Sequence, residues 1–453
     1  MTLLTGATLL AAQPRTMRLD YLHTGTATDE RFARDGVVLE SAWPGPLDRW
    51  IDDTNLGAYQ FEIVDHASHA VIYSRGYATI FGEWQSTDEA KQQTRGFHES
   101  VRFPAPDKPV DVVIRKRGAR NEWRDLWTTT IDPKDQDIDR SAPPKLHVWP
   151  VIQNGPPRDK VDLLLLGDGY TAAEMNKWHR DARRTAELLF AVAPFRQHRG
   201  DFNVWAIDTP AEESGVSRPS DGIYRRSPLR ANYDAFGSER YVLTFDNKRL
   251  REIASAAPYE FIEIVVNGRK YGGGGIFNLY ATVAADNAFT PYVFVHEFGH
   301  HFAGLADEYY TSDVAYTNTG ERPEPWEPNA TADPHAAKWK DLLTAGIELP
   351  SPWPKAEFEK MEQEIQKRRR AIRAGHRPEE EMEALFREER TKDTALLSSG
   401  PNAGKVGAFE GALYEARGYY RPQQDCIMFT RDEGGFCAVC RRAIERIIRM
   451  YAK

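Results

Sequence analysis

This chain of 453 residues lacks long apolar runs and lacks an excess of basic residues. No stretch approaches the roughly eighteen apolar residues that a membrane span requires, so no membrane span is expected. Lysine and arginine together number 59 against 67 aspartate and glutamate residues, and the formal net charge is −8. Because this negative balance is spread along the chain, it argues for solubility and against a nucleic-acid partner. The length is sufficient for two or three domains.

Cysteine is scarce, and the chain has only Cys426, Cys437 and Cys440. This count excludes a zinc knuckle with four cysteines, and a thioredoxin-like redox motif would need a βαβ context that is missing here. In an exported protein we expect one disulfide, which joins Cys426 to Cys437 or Cys440 and leaves one thiol over.

The N-terminus lacks the basic residues that open a signal peptide. Its first residues, MTLLTGATLLAAQ, otherwise resemble the apolar core and small-residue cleavage region of such a peptide. Either translation begins upstream of Met1 or this segment is a disordered tail. The composition favours an export signal, and a secreted or periplasmic protein is therefore expected.

A metal-binding pattern is present in the stretch TPYVFVHEFGHHFAGLADEYY, residues 290–310. Pro291 near its start and Gly304 near its end predict a helix between them. His296 and His300 lie four residues apart, so both imidazoles occupy one helix face and can bind one metal ion. Glu297 is then placed beside the metal, where it can act on a bound water.

A catalytic zinc site needs a third protein ligand. The metzincin pattern places a glycine and the third ligand three and six residues after the second histidine. Here Gly304 and Asp307 stand four and seven residues after His300, and the ligand would be a carboxylate. The pattern favours Asp307, and the choice between Asp307 and Glu308 stays open.

Three stretches are specific when taken together: LLLLGDGYTAAEM, HEFGHHFAGLADEYY and EGALYEARGYYRPQQDCIMFTRDEGGFCAVC. They resemble the IgA-peptidase family of zinc metallopeptidases. The resemblance covers residues 145–453, and more loosely an N-terminal β domain that such proteins often carry. It implies a metzincin-like catalytic domain that binds Zn²⁺ and acts on a protein or peptide substrate. The immunoglobulin substrate in the family's name does not transfer with the motifs.

The sequence predicts an α+β protein with an N-terminal β-sandwich and a metzincin-like zinc-peptidase domain. A signal-like or disordered segment spans residues 1–17. Alternating apolar and polar runs such as AYQFEIVD and VDVVIRK predict the sandwich over residues 18–135. Residues 136–160 are rich in proline and charge, which is typical of a linker. The catalytic domain spans residues 161–453, with an inserted helical hairpin at residues 355–394.

Four consecutive glycines precede a predicted edge strand, Ile276–Ala284. A phosphate-binding loop would need a following Lys-Ser/Thr pair, which is missing, so we interpret the glycines as a flexible entry to the strand. An exposed edge strand can bind an extended peptide through backbone hydrogen bonds.

The C-terminal region adds two candidates. Met428 stands where a methionine packs beneath the zinc of a metzincin. Tyr419 or Tyr420 is expected to reach the metal and stabilise the oxyanion; the sequence does not separate them, and we select Tyr420.

The sequence therefore predicts a zinc-dependent endopeptidase. His296, His300 and Asp307 would bind Zn²⁺, and Glu297 would act as the general base. One alternative is a non-catalytic adhesin or binding protein built on a metallopeptidase frame. Another is a metal hydrolase that acts on a non-peptide amide.

Overall fold

The computed structural model describes residues 13–311, 322–431 and 434–453. It is a mixed α+β protein in which antiparallel sheets precede a larger domain with a mostly parallel sheet. Of the predicted signal-like segment, residues 1–17, the part up to residue 12 lies outside the described residues. Strand β1, Arg15–Gly25, begins inside that segment and buries Met17. Residues 15–17 therefore belong to the first domain.

Two antiparallel sheets form the N-terminal domain. Their strands are β1 (Arg15–Gly25), β2 (Glu30–Ala42), β3 (Tyr59–Asp65), β4 (Val71–Tyr77), β5 (Arg95–Pro104), β6 (Val110–Arg117) and β7 (Trp123–Ile131). One sheet has the order β2-β1-β5 and the other has the order β4-β3-β6-β7. Both sheets contribute to one apolar core, in which the hydroxyl groups of Tyr21 and Tyr77 lie 3.2 Å apart. Two sheets around one core form a β-sandwich.

The second domain is built on a six-stranded sheet. Its strands are β8 (His147–Ile152), β9 (Val161–Asp168), β10 (Phe202–Asp208), β11 (Phe261–Val266), β12 (Gly273–Ile276) and β13 (Tyr280–Ala284). Their order is β12-β13-β11-β9-β10-β8, and only the two outermost strands run antiparallel to their neighbours. Strand β9 is buried along its whole length, as its continuous apolar run predicts.

Strand β8 corrects the prediction of a linker over residues 136–160. It pairs with β10, so part of the proline-rich stretch is an edge of the sheet. Pro150 lies within β8, where the missing N–H costs little because only one side of an edge strand is paired. Ile138 is also buried in the core of the sandwich.

The glycine-rich stretch also differs from its prediction. Residues 276–284 do not form one edge strand, because β12 and β13 are the two arms of a hairpin and β12 is the edge. A Cβ atom on Gly275 would lie 2.2 Å from the carbonyl oxygen of Glu297. The glycines therefore allow close packing of β12 on a helix rather than flexibility.

Seven helices lie in the described residues: α1 (Ile80–Gln85), α2 (Met175–Phe190), α3 (Asn247–Ala254), α4 (Thr290–Ala303), α5 (Lys355–Ala374), α6 (Glu379–Leu397) and α7 (Ala438–Tyr451). Helices α5 and α6 form the hairpin that was predicted for residues 355–394. A short β-hairpin, β14 (Phe409–Ala412) and β15 (Glu415–Arg421), precedes the last helix. No helix in the described parts of the chain has both the length and the apolar character needed to cross a membrane.

Helix α4 carries the H-E-x-x-H pattern and is almost entirely buried. It ends at Gly304, which has a φ of 59° and donates its N–H to the last turn, as the sequence predicts. The buried side chain of His301 holds the helix to the sheet, because Nδ1 donates to the carbonyl of Ile276 and Nε2 accepts from the N–H of Ile262. Burial lowers the pKa of His301 to about 3, so this imidazole is neutral.

Candidate metal centre and active site

His296 and His300 are oriented by the carbonyl groups that their Nδ1 atoms contact. Nδ1 of His296 lies 2.9 Å from the carbonyl oxygen of Ile427, and Nδ1 of His300 lies 2.5 Å from that of Leu305. A carbonyl oxygen only accepts, so Nδ1 is the donor in both rings. A metal ion binds neutral imidazoles, and in the neutral rings both Nε2 atoms are acceptors, which lie 3.1 Å apart. Two facing lone pairs are the arrangement that a metal ion stabilises.

Asp307 completes this group. Its Oδ1 atom lies 3.0 Å from Nε2 of His296 and 3.1 Å from Nε2 of His300. In a tetrahedral site with metal–ligand bonds of about 2.0–2.1 Å, neighbouring ligand atoms lie about 3.3 Å apart. The three atoms therefore form a triangle of suitable size for a zinc-like ion. The predicted residues His296, His300 and Asp307 come together in the structure.

Charge around the triangle favours a bound cation. Burial alone would raise the pKa of Asp307, but the adjacent His300 and His296 hold it well below its usual range. Burial alone would lower the pKa of His300, but the Asp307 carboxylate raises it to about 9. The carboxylate is thus ionised, and it attracts positive charge to the point that both imidazoles face.

Glu297 lies beside the triangle at the floor of an open cleft. The cleft is lined by residues from the sheet edge, helix α4, the segment after it and the β14–β15 hairpin, including Gly275, Glu297, His300, Asp307, Tyr309 and Tyr414. Behind Glu297, the fully buried Glu263 of β11 has no hydrogen-bond partner in the described part of the chain. Burial and the neighbouring Glu297 raise the pKa of Glu263 well above its usual range, so Glu263 is protonated.

The structure places Tyr419 and Tyr420 away from the cleft. The hydroxyl of Tyr419 donates to the carbonyl of Pro323, and the backbone of Tyr420 pairs with Thr331. Neither residue is among the described residues that line the cleft. Tyr414 is there instead, and its hydroxyl donates to Oδ2 of Asp307.

Tyr414 reaches Asp307 because of an unusual turn. Leu413 and Tyr414, which join β14 to β15, both have positive φ angles, of 52° and 64°. Such a turn normally contains Asn-Gly, and a bulky residue in this conformation costs on the order of 1–3 kcal/mol. The backbone N–H groups of Leu413 and Tyr414 offset this cost by donating to the carbonyls of Asp307 and Tyr309. Because the Asn-Gly pair is missing, no local sequence pattern indicates this turn.

Met428 lies where the sequence predicts, buried beneath helix α4. A Cβ atom on Gly299 would lie 3.2 Å from its sulfur atom. Its carbonyl oxygen accepts from the N–H of Glu308, and the preceding carbonyl, of Ile427, orients His296. The loop around Met428 thus supports His296 and the segment after α4, and Met428 itself does not line the cleft.

The structure also corrects the predicted disulfide. Cys426, Cys437 and Cys440 are free thiols, and all three are buried. The sulfur atoms of Cys426 and Cys440 lie 3.9 Å apart, far beyond the roughly 2.05 Å of a disulfide bond.

Comparison with known protein families agrees with this geometry. A family model described as IgA Peptidase M64 matches residues 150–448, which is more than half of the chain. The chain belongs to this family. A second model, described as Peptidase M64 N-terminus, matches residues 10–128, the region of the sandwich. No curated protein sequence matches the chain.

Membership of the M64 family identifies a peptidase, whose substrate is a protein or a peptide. It is a family of metallopeptidases, and the group of His296, Glu297 and His300 offers a place for the metal. The resemblance noted from the sequence is therefore confirmed at the level of the family.

Proposed function

We propose that this M64 peptidase is a zinc-dependent endopeptidase with Glu297 as the general base. The observation that carries the proposal is the convergence of Nε2 of His296, Nε2 of His300 and Oδ1 of Asp307 within 3.1 Å of one another, with Glu297 adjacent. Two imidazoles and one carboxylate fit zinc, which prefers nitrogen and oxygen ligands in a tetrahedral site with one open position. When bound, zinc would lower the pKa of water to about 7 and polarise the scissile carbonyl.

The residues of the chain supply the remaining steps. Glu297 accepts a proton from the attacking water and passes it to the leaving amine. Asp307 and the two imidazoles keep their geometry because their other polar atoms are held by Tyr414, Ile427 and Leu305. The placement of Met428 beneath α4 supports a metzincin-like arrangement.

The edge strand β12 offers a place for an extended substrate. Gly273 turns its backbone groups outward, since its N–H donates to Arg240 and its carbonyl accepts from Val242. Backbone groups two residues apart on a strand point the same way, so Gly275 also turns its N–H and carbonyl outward, into the cleft. A peptide can pair with Gly275 as an added strand, whatever its side chains.

The test replaces Glu297 by glutamine, which keeps the size of the side chain but removes a strong proton acceptor. We expect Glu297→Gln to lose about 10²–10⁴-fold in the rate of peptide cleavage, while zinc content and folding stay unchanged. Cleavage of a peptide library is measured by mass spectrometry, and zinc is measured by metal analysis on the same preparation.

A matched control is Glu263→Gln. Glu263 is also a buried glutamate, but it lies behind the helix and does not line the cleft, so this variant should cleave like the parent. Parental cleavage by Glu297→Gln would overturn the role of Glu297 and favour a binding protein or a hydrolase of another bond.

A further inference from the structure

A second cluster of metal-binding side chains lies on the far side of Asp307. It consists of Glu308, Cys426, Cys437 and Cys440, whose ligand atoms all lie within 4.8 Å of one another. Every member is at most 4% exposed, and Glu308 and Cys440 are completely buried. The sequence excludes a zinc knuckle with four cysteines, but Glu308 supplies a fourth ligand that is more than a hundred residues away in the chain.

The distances within the cluster match those of a tetrahedral zinc site. With Zn–S bonds of about 2.3 Å and Zn–O bonds of about 2.0–2.2 Å, two sulfur ligands lie about 3.8 Å apart and a sulfur and an oxygen about 3.5 Å apart. The sulfur atoms of Cys426 and Cys440 are 3.9 Å apart, and Sγ of Cys440 lies 3.4 Å from Oε1 of Glu308.

Glu308 gives independent support for a ligand. Its Oε2 atom is buried and has no hydrogen-bond partner within the described residues. Its Oε1 atom is held by the side-chain amide of Asn329 at 2.9 Å, and the same amide group bonds to the backbone of Ala306. A buried carboxylate oxygen without a hydrogen-bond partner is costly, unless a cation satisfies it.

Backbone N–H groups also point at the sulfur atoms of two of the cysteines. Cys437 caps the N-terminus of helix α7, and its sulfur accepts from the N–H of Cys440 at 3.4 Å. The sulfur of Cys426 accepts from the N–H of Cys437 at 3.3 Å. N–H donors and a helix N-terminus both stabilise negative charge on sulfur, and thiolates are the form that binds metal.

We propose that Glu308, Cys426, Cys437 and Cys440 bind a structural zinc ion. Four protein ligands close the coordination sphere, so this ion would have no open position and no part in the chemistry. Soft thiolate ligands select zinc over magnesium or calcium.

The position of the site suggests its effect. Glu308 adjoins Asp307, and Cys426 adjoins Ile427, whose carbonyl orients His296. A metal ion there would fasten the segment after α4, the loop around Met428 and helix α7 to one another. It would thereby hold in place the Asp307 carboxylate and the Ile427 carbonyl that orients His296.

The test separates the two sites by their ligands. Metal analysis of the purified protein should find two zinc ions per chain, and His300→Ala should retain one. Cobalt(II) in place of zinc should give the strong sulfur-to-cobalt charge-transfer absorption of thiolate ligands, both in the parent and in His300→Ala. This absorption does not depend on catalysis, so failure of the proposed peptidase mechanism would leave it unchanged.

Variants then identify the ligands. Glu308→Gln and Cys440→Ser should lose the absorption or weaken cobalt binding by at least tenfold, whereas the control Glu263→Gln should keep both. If these variants do not fold, the absorption of the parent and of His300→Ala decides the question. Parent protein without thiolate absorption, or a disulfide among the three cysteines in non-reducing mass spectrometry, would overturn the proposal.

Discussion

Asp307 and Glu308 are adjacent in the sequence, but their side chains lie in different clusters of potential metal ligands. Successive side chains of an extended segment point to opposite sides. Asp307 faces the two histidines, whereas Glu308 faces the cysteines. The sequence leaves the choice of third ligand between these two residues open, and we propose that each binds a metal ion, at separate sites.

Tyr414 is the residue at the cleft whose role is easiest to isolate. Its hydroxyl donates to Oδ2 of Asp307, while Oδ1 faces the histidines. Tyr414→Phe keeps the ring and the turn but removes this hydrogen bond. Loss of a partner that orients a metal ligand typically costs 10–100-fold in metal affinity. We expect a weakening of that size at the His296–His300–Asp307 site, measured by competition with a zinc chelator.

The control for this experiment is Tyr420→Phe, which changes a tyrosine outside the cleft. It should bind zinc like the parent. An unchanged affinity in Tyr414→Phe together with a weaker one in Tyr420→Phe would contradict the placement of these two side chains.

At the scale of single residues, the sequence predicts the geometry where the signal is local. His296, Glu297, His300 and Gly304 lie within one helix and its cap, whose geometry follows from their spacing. Tyr414 was missed because its role depends on a strained turn and on a contact with a residue more than a hundred positions away. No local pattern records such a contact.

At the scale of elements, the helical hairpin was predicted, but its inner face was not. On the outer face, Arg368 and Glu388 form an ion pair across the two helices. The inner face instead buries Glu362 of α5 together with Glu389 and Asp393 of α6. The ion pair of Glu389 with Arg431 is one of the interactions in this group.

The group of buried carboxyls makes stability depend on pH. Burial, followed by the charges of Glu362 and Glu389, raises the pKa of Asp393 to about 9. In the window between its ordinary pKa of about 4 and this value, the folded state keeps a proton that the unfolded state releases. The free energy of unfolding should therefore fall as the pH rises from about 4 to about 9, by at most about 1.4 kcal/mol per pH unit for this proton.

Asp393→Asn removes the titrating group and should reduce this slope, so that the variant gains stability over the parent at pH 8 but not at pH 4. Urea unfolding across this range measures the effect. Glu364→Gln, on the exposed face of α5, is the control and should follow the parent. Equal destabilisation by Asp393→Asn at every pH would show that the carboxylate is charged and paired.

Edge strands were the elements that the sequence described least well. The sequence predicts a linker in place of strand β8, because Pro150 and the charged residues around the strand outweigh the short apolar pattern of β8. Strand β12 consists of three glycines and one isoleucine, so it has no alternating pattern to detect. In both cases the decisive interaction is pairing with a neighbouring strand, which a single segment does not encode.

At the scale of the whole molecule, the two domains share one of the two apolar cores, while the sandwich also has a core of its own. Ile80, Phe81, Trp84 and Phe97 of the N-terminal region belong to the same apolar cluster as the sheet and helix α4. The turn between β12 and β13 docks on the sandwich, since the N–H of Ala78 donates to the carbonyl of Phe277 at 2.9 Å. Residues of the first domain also line the cleft: Ala78, Gly82, Glu83 and Ser86. The N-terminal domain therefore forms part of the cleft.

A shared core predicts that the two domains unfold together. Phe97 of β5 is 5% exposed and contacts Trp84 within its own domain and Phe245 of the second domain, each with ring centroids 5.9 Å apart. Phe97→Ala should lower the free energy of unfolding by about 3–5 kcal/mol and shift a single calorimetric transition as a whole. Leu22→Ala, at a side chain that is 42% exposed on β1, should change it by no more than about 0.5 kcal/mol. Two separate transitions, only one of which responds to Phe97→Ala, would show that the domains are energetically independent.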